Sequence, residues 1–238
     1  MVVEIPRGTH AKLEISRPLP LNPIKQDIKN GKLRYIHDAY PFNYGAFPQT
    51  WEDPSFITPE TNAKGDMDPL DVCEVGVGQG HTGQIKQVKI LGVWAMVDEG
   101  ETDWKVLVID VNDPKAKEIN NADDLEKVYP GTIKKTFEFL RDSKIPAGAG
   151  PNHFAFDGQL KDKAYALKLS AIIFFFFFFF FVSKIFLFRV TEETYHLWHK
   201  LITGATTNKT DKYNIEVQNL TQEKFRITAE EAKVHAKL

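Results

Sequence analysis

Gly65-Asp66-Met67-Asp68-Pro69-Leu70-Asp71-Val72-Cys73-Glu74-Val75 sets Asp66, Asp68 and Asp71 within six residues, immediately ahead of an apolar, strand-forming run. Asp66 and Asp68 are two apart, so an extended backbone places them on one face. Pro69 forbids a helix and bends the chain, which lets Asp71 return toward the same point. Carboxylates held this close raise one another's pKa and keep some of themselves protonated unless a divalent cation neutralises them. The commonest calcium loop does not fit: counted from Asp66, its turn glycine falls on Asp71 and its bidentate glutamate on Val77. An isolated Asp-x-Asp is usually an acidic, solvated turn, so the decision rests on the surrounding chain.

A second acidic group, Asp98-Glu99-Gly100-Glu101-Thr102-Asp103-Trp104-Lys105, lies between two strand-like runs, residues 88–97 and 106–111. Two strands joined by an acidic, glycine-containing loop make a hairpin. If it lies beside the strand carrying Cys73 and Val75, Asp98 and Asp103 approach Asp66, Asp68 and Asp71. Five aspartates on neighbouring strand ends suit more than one hard cation, with oxygen ligands and water completing the shells.

These two segments, with Met1-Val-Val-Glu4-Ile-Pro6-Arg7 and Asn43-Tyr44-Gly45-Ala46-Phe47-Pro48-Gln49-Thr50-Trp51-Glu52-Asp53-Pro54, resemble the soluble family I inorganic pyrophosphatases, most closely the eukaryotic type. The resemblance runs from residue 1 to about 169 and resumes at 191. It departs at Met67, where the family usually has Asn, at Ser143, where it has Tyr, and after Pro41, where several residues are missing. Eukaryotic members also carry further strands ahead of the point matching Met1. The resemblance implies a mainly β fold with helices: a five-stranded, partly open barrel similar to the OB-fold, flanked by helices. It implies magnesium-dependent hydrolysis of pyrophosphate to two phosphates by direct in-line attack of a metal-activated water.

Roles follow by the same resemblance. Asp66, Asp71, Asp98 and Asp103 would hold Mg2+, Glu14 would serve a metal through water, and Asp68 would be the general base. Lys12, Arg34, Tyr44, Lys105 and Lys144 would bind phosphate, and Glu4 would support the charge balance. A guanidinium such as that of Arg34 suits phosphate because two parallel hydrogen bonds can form. Taken singly, these residues would read as solvated strand faces, a surface ion pair, or, for Tyr44, a core tyrosine with a satisfied hydroxyl.

The bulk properties are permissive. At 238 residues with 42% hydrophobic content one domain spanning 1–238 can bury a full core. A net charge of −2 gives no general pull toward nucleic acid or anionic membrane. The single cysteine, Cys73, excludes an internal disulfide and fits a reducing compartment, so we expect a cytoplasmic protein, with a mitochondrial one the alternative. Gly76-Val77-Gly78-Gln79-Gly80 lacks nucleotide-loop spacing and reads as turn. Residues 123–127 and 134–140 have helical spacing, separated by Pro130-Gly131. A homodimer is implied by the eukaryotic resemblance alone.

Residues 170–190 break the pattern with eight consecutive phenylalanines, 174–181. The uninterrupted apolar run is shorter than the roughly 20 residues that span a bilayer, so membrane insertion is not expected. We read it as a foreign low-complexity insert: removing it would join residues 166–169 to 191–194 in one helical stripe with Leu197 and Leu201. The alternative to an enzyme is a catalytically impaired binding module that keeps the metal ligands; phosphate release from pyrophosphate discriminates the two.

Overall fold

Ile, Leu, Val and Trp fill the chain from Val88 onward, and it folds as the strand Val88–Asp98, antiparallel to Glu101–Asp110. The structure is a computed structural model that describes residues 1–19, 21–55 and 57–167. The hairpin turn is only Glu99-Gly100, both left-handed, with φ of 49° and 88°. The acidic segment expected as a loop is therefore mostly strand from Glu101 onward. Its acids and Lys105 are aimed by strand alternation, not by a loop.

The Asp71–Glu74 strand runs parallel to residues 105–108, with Asp71 opposite Lys105. Its other edge is antiparallel to Asn43–Ala46, which pairs in turn with Val2–Ile5. The sheet order is thus Val2–Ile5, Asn43–Ala46, Asp71–Glu74, Glu101–Asp110, Val88–Asp98, with His153–Phe154 and Lys161–Asp162 on the outer edge. Ala63–Gly65 adds a parallel pairing at the start of Glu101–Asp110. The fold is mainly β with helices, as expected. It is a mixed sheet consistent with the OB-like expectation, and among the described residues no ladder joins its two edges into a closed barrel.

Alternation gives the sheet two apolar faces. On one, Tyr44, Cys73, Trp94, Met96, Leu107 and Ile109 pack under Leu125 and Leu140, which come from the helices α1 (Ala122–Val128) and α2 (Thr132–Asp142). On the other, Val72, Val93, Ala95, Val106 and Val108 pack with Ala166. Asn121 caps α1 by accepting the Asp124 N–H at 2.8 Å. Pro130-Gly131 turns the chain into α2, with Gly131 at φ 80°. Leu125 is fully buried, a placement that contributes about 1.5–3 kcal/mol.

Two small hairpins, Leu13–Ile15 with Ile24–Gln26 and Ile28–Lys29 with Lys32–Leu33, form an arm carrying Lys12, Glu14 and Arg34. The strand Lys32–Leu33 ends just before Arg34, so Arg34 follows a strand rather than lying in one. The phenylalanine run and the helical stripe expected around it lie outside the described residues. Among the described residues no helix is long and apolar enough to cross a membrane.

Candidate active site

The sheet face that carries the larger core ends in charge. Tyr44, Asp71, Asp103, Lys105 and Asp98 continue the same alternation as the buried Cys73, Leu107 and Met96. They line one open cleft of about 410 Å³ together with Asp66, Asp68, Lys12, Glu14, Arg34 and Lys144. Glu4 lies beneath, buried, its Oε1 accepting the Ile15 N–H at 2.7 Å. The structure thus brings together the cleft residues proposed from the sequence and sets Glu4 behind them.

Asp66 and Asp68 do not share a face of extended backbone. Met67 between them is left-handed at φ 71°, and the Asp68 N–H donates to Asp66 Oδ1 at 2.8 Å, closing a turn. Short Asx-type turns of this kind compete with strand geometry. The turn is clamped from behind: the Glu52 N–H donates to the Asp68 carbonyl at 2.9 Å, and the Met67 N–H to the Glu52 carbonyl at 3.0 Å. Gly65 makes this approach possible, because a Cβ there would sit 2.5 Å from the Glu52 carbonyl.

Lys12, Arg34, Lys105 and Lys144, the basic groups expected at phosphate, each have a carboxylate partner. Lys105, almost wholly buried, donates to Asp71 and Asp103 and, at 3.0 Å, to the Tyr44 hydroxyl. Tyr44 itself donates to Asp71, so its hydroxyl is engaged by protein rather than left for phosphate or water as expected. Lys144 bridges Asp98 and Glu99, the latter at 3.3 Å. Arg34 pairs with Asp27 at 3.0 Å and Lys12 with Glu14 at 3.6 Å. The ion pair weighed for Arg34 therefore exists, on the wall of the cleft. Ser143 also lines it.

Burial and crowding push the acids up. Burial first, then the charge of Asp71, raises Glu4 to about 8. Burial raises Asp68 to about 6 against the opposing pull of Arg17, and Asp103 to about 7 against that of Lys105. Burial followed by neighbouring carboxylates lifts Asp66 and Glu52 well above the usual range. One oxygen each from Glu52, Asp66 and Asp103 falls within 4.8 Å of the others, and Glu52 Oε2 is buried with no hydrogen-bond partner. An oxygen-rich, proton-retaining cluster with an orphaned acceptor fits a hard divalent cation. Cys73 has no place in this chemistry: it is buried in the strand, and burial pushes its thiol up.

The profile of the inorganic pyrophosphatase family matches residues 1–172. The chain belongs to this family. It is 54% identical over 214 residues to the inorganic pyrophosphatase of Dictyostelium discoideum, covering 90% of this chain and 69% of that protein. The inorganic pyrophosphatase structure from Schistosoma japonicum superposes with a TM-score of 0.75 at 44% identity, covering 85% of this chain and 66% of that one. A truncated Trypanosoma cruzi vacuolar soluble pyrophosphatase in complex with PPi matches with a TM-score of 0.74 at 37% identity, over 85% and 69% of the two chains. This pyrophosphatase chain therefore spans about two thirds of the length of these relatives. Family I pyrophosphatases use divalent metal, in accord with the acidic cluster.

Two residues of this site escaped the sequence reading. Arg17 pairs with Asp68 at 2.9 Å and donates to the Met67 carbonyl at 2.6 Å. Its only trace in the sequence is a basic residue shortly after Glu14. Glu52 stands in a proline- and aromatic-flanked stretch whose acidity alone could have marked it.

Proposed function

We propose that this chain hydrolyses inorganic pyrophosphate to two phosphates in a magnesium-dependent reaction. The observation that carries this reading is the convergence of Asp66, Asp68, Asp71, Asp98 and Asp103 with Lys12, Arg34, Lys105 and Lys144 on one cleft. The T. cruzi relative bound to PPi supports the substrate.

Asp66, Asp71 and Asp103 would hold Mg2+, with Asp98 and Glu14 toward metal that arrives with substrate. When bound, the metal neutralises carboxylate and phosphate charge and lowers the pKa of water by several units. Lys12, Arg34, Lys105 and Lys144 exchange carboxylate for phosphate oxygens, which orients the anhydride and stabilises charge developing on it. Asp68 takes the proton of the attacking water. The water oxygen forms a bond to one phosphorus as the bridging P–O bond breaks, and the second phosphate leaves on the bridging oxygen. A carboxylate raised to about 6 is a better base than an ordinary one and still ionised near neutrality. Arg17 fixes its direction. No covalent intermediate is required.

Phosphate release from pyrophosphate by the purified full chain, with Mg2+ and then with excess chelator, tests the reading. Magnesium-dependent release that chelation abolishes is expected; undiminished release in chelator, or none with Mg2+, overturns it. Resemblance to the eukaryotic type further supports a homodimer, for which light scattering should give twice the chain mass, and a cytoplasmic location.

A further inference from the structure

We infer that Glu52 is a further carboxylate ligand to the divalent cation assigned above to Asp66, Asp71 and Asp103, closing that site from its buried side. The inference rests on the metal-dependent reading above and adds a residue to it. Glu52 is 3% exposed and does not line the open cleft; its side chain reaches the cluster from beneath. One oxygen is accounted for, since Oε1 accepts the Trp104 N–H at 3.1 Å. The other, Oε2, is buried and has no partner, while the backbone N–H and carbonyl of Glu52 are both engaged with the aspartate turn.

A carboxylate serving only the fold would use both oxygens. An unmet buried acceptor is destabilising, and here like-charged neighbours add to the penalty. A cation supplies the missing partner. Three oxygens around an ion of magnesium size at roughly 2.1 Å stand about 3 to 4.2 Å apart. The Glu52, Asp66 and Asp103 oxygens already fall within 4.8 Å of one another, so little movement closes the set. The backbone clamp fixes Glu52 to the same turn that aims Asp66, and the Trp104 N–H fixes it to the residue after Asp103. These three ligands thus move as one unit.

Mn2+ alone, titrated into the full chain and followed by its electron paramagnetic resonance signal, tests this without turnover. Glu52→Gln should weaken Mn2+ binding about tenfold or more, while its unfolding midpoint in chelator stays at or above that of the wild type. Unchanged Mn2+ affinity in Glu52→Gln overturns the inference. If Glu52→Gln fails to fold, Glu52→Asp, which keeps the acid but shortens its reach, carries the same reading: weakened Mn2+ binding supports the inference and wild-type affinity overturns it. Asp66→Asn separates the two levels. If it loses Mn2+ while Glu52→Gln keeps it, the metal site stands and only the role of Glu52 falls. If the wild type binds no Mn2+, the metal-dependent reading falls with it.

Discussion

Asp71 and Lys105 face each other across a parallel strand pair, and the lysine ammonium is shared between Asp71 and Asp103. The Lys105 side chain is only 4% exposed, so this pair replaces solvent for all three groups. Removing one member of a buried ion pair leaves an uncompensated charge, at a cost of about 3–5 kcal/mol. Lys105→Met should therefore lower the unfolding free energy in chelator by roughly 3 kcal/mol at pH 8. The loss should shrink at pH 5, where Asp103 can take a proton, and shrink again with saturating Mg2+. Denaturant titrations under the three conditions check it; equal losses in all three would mean that Lys105 matters for packing alone.

The pH dependence of the metal-free protein should be inverted relative to most acid-rich proteins. Glu4, Asp103 and Asp68 are raised to about 8, 7 and 6, whereas the unfolded chain titrates near 4. Between these values the native state binds more protons than the unfolded state, so stability falls as pH rises. In chelator, the thermal midpoint should drop steadily from pH 5 to pH 8. Saturating Mg2+ should flatten or reverse that slope, because cation binding replaces the protons. A midpoint that rises with pH in chelator would contradict the crowding of these carboxylates.

The strand hairpin and its neighbours were legible because their chemistry is local and periodic. Apolar runs at residues 88–97 and 106–111 announced the hairpin, and resemblance put the same acids and bases on one cleft that the structure does. What was hidden is non-local. Nothing in Asp66-Met67-Asp68 shows that the residue between the acids turns left-handed, because the hydrogen bonds that hold it come from Glu52 and Arg17, sequence-distant and on separate segments. The bond from Tyr44 to Asp71 was equally hidden, because it depends on strand register, which a one-residue slip would abolish.

Asp68 and Arg17 divide the base function between them. Asp68→Asn keeps the shape of the turn but removes the proton acceptor, so kcat should fall by about 100-fold or more while Mn2+ affinity is retained within a few-fold. Arg17 opposes the burial of Asp68 with its positive charge. Arg17→Gln should move the acidic limb of the kcat profile to higher pH while leaving activity at pH 8.5 much less affected. Kinetics across pH 5 to 9 with saturating Mg2+ check both. Parallel loss of Mn2+ binding in Asp68→Asn would make Asp68 a ligand instead of a base.

Met67, where the resemblance leads one to expect Asn, sits inside the aspartate turn in a strained backbone conformation. A non-glycine residue in the left-handed region is strained by roughly 1–2 kcal/mol, and asparagine bears that conformation better than methionine because its short amide can bond locally. Met67 is half-buried at φ 71°, held there by its N–H bond to Glu52 and its carbonyl bond from Arg17. The backbone is thus over-determined, and the side chain is what fits poorly. Met67→Asn should raise stability by about 1 kcal/mol, or roughly 2–4 °C in thermal midpoint, without changing the ligand set. Met67→Val, β-branched, should lower it, since branching worsens the left-handed clash. Because Asp66 and Asp68 are spaced by this one residue, Mn2+ affinity should follow stability in the same order, Asn above Met above Val. Paired thermal melts and Mn2+ titrations on the three chains decide the matter: no difference between Asn and Val would mean the turn carries no strain at Met67.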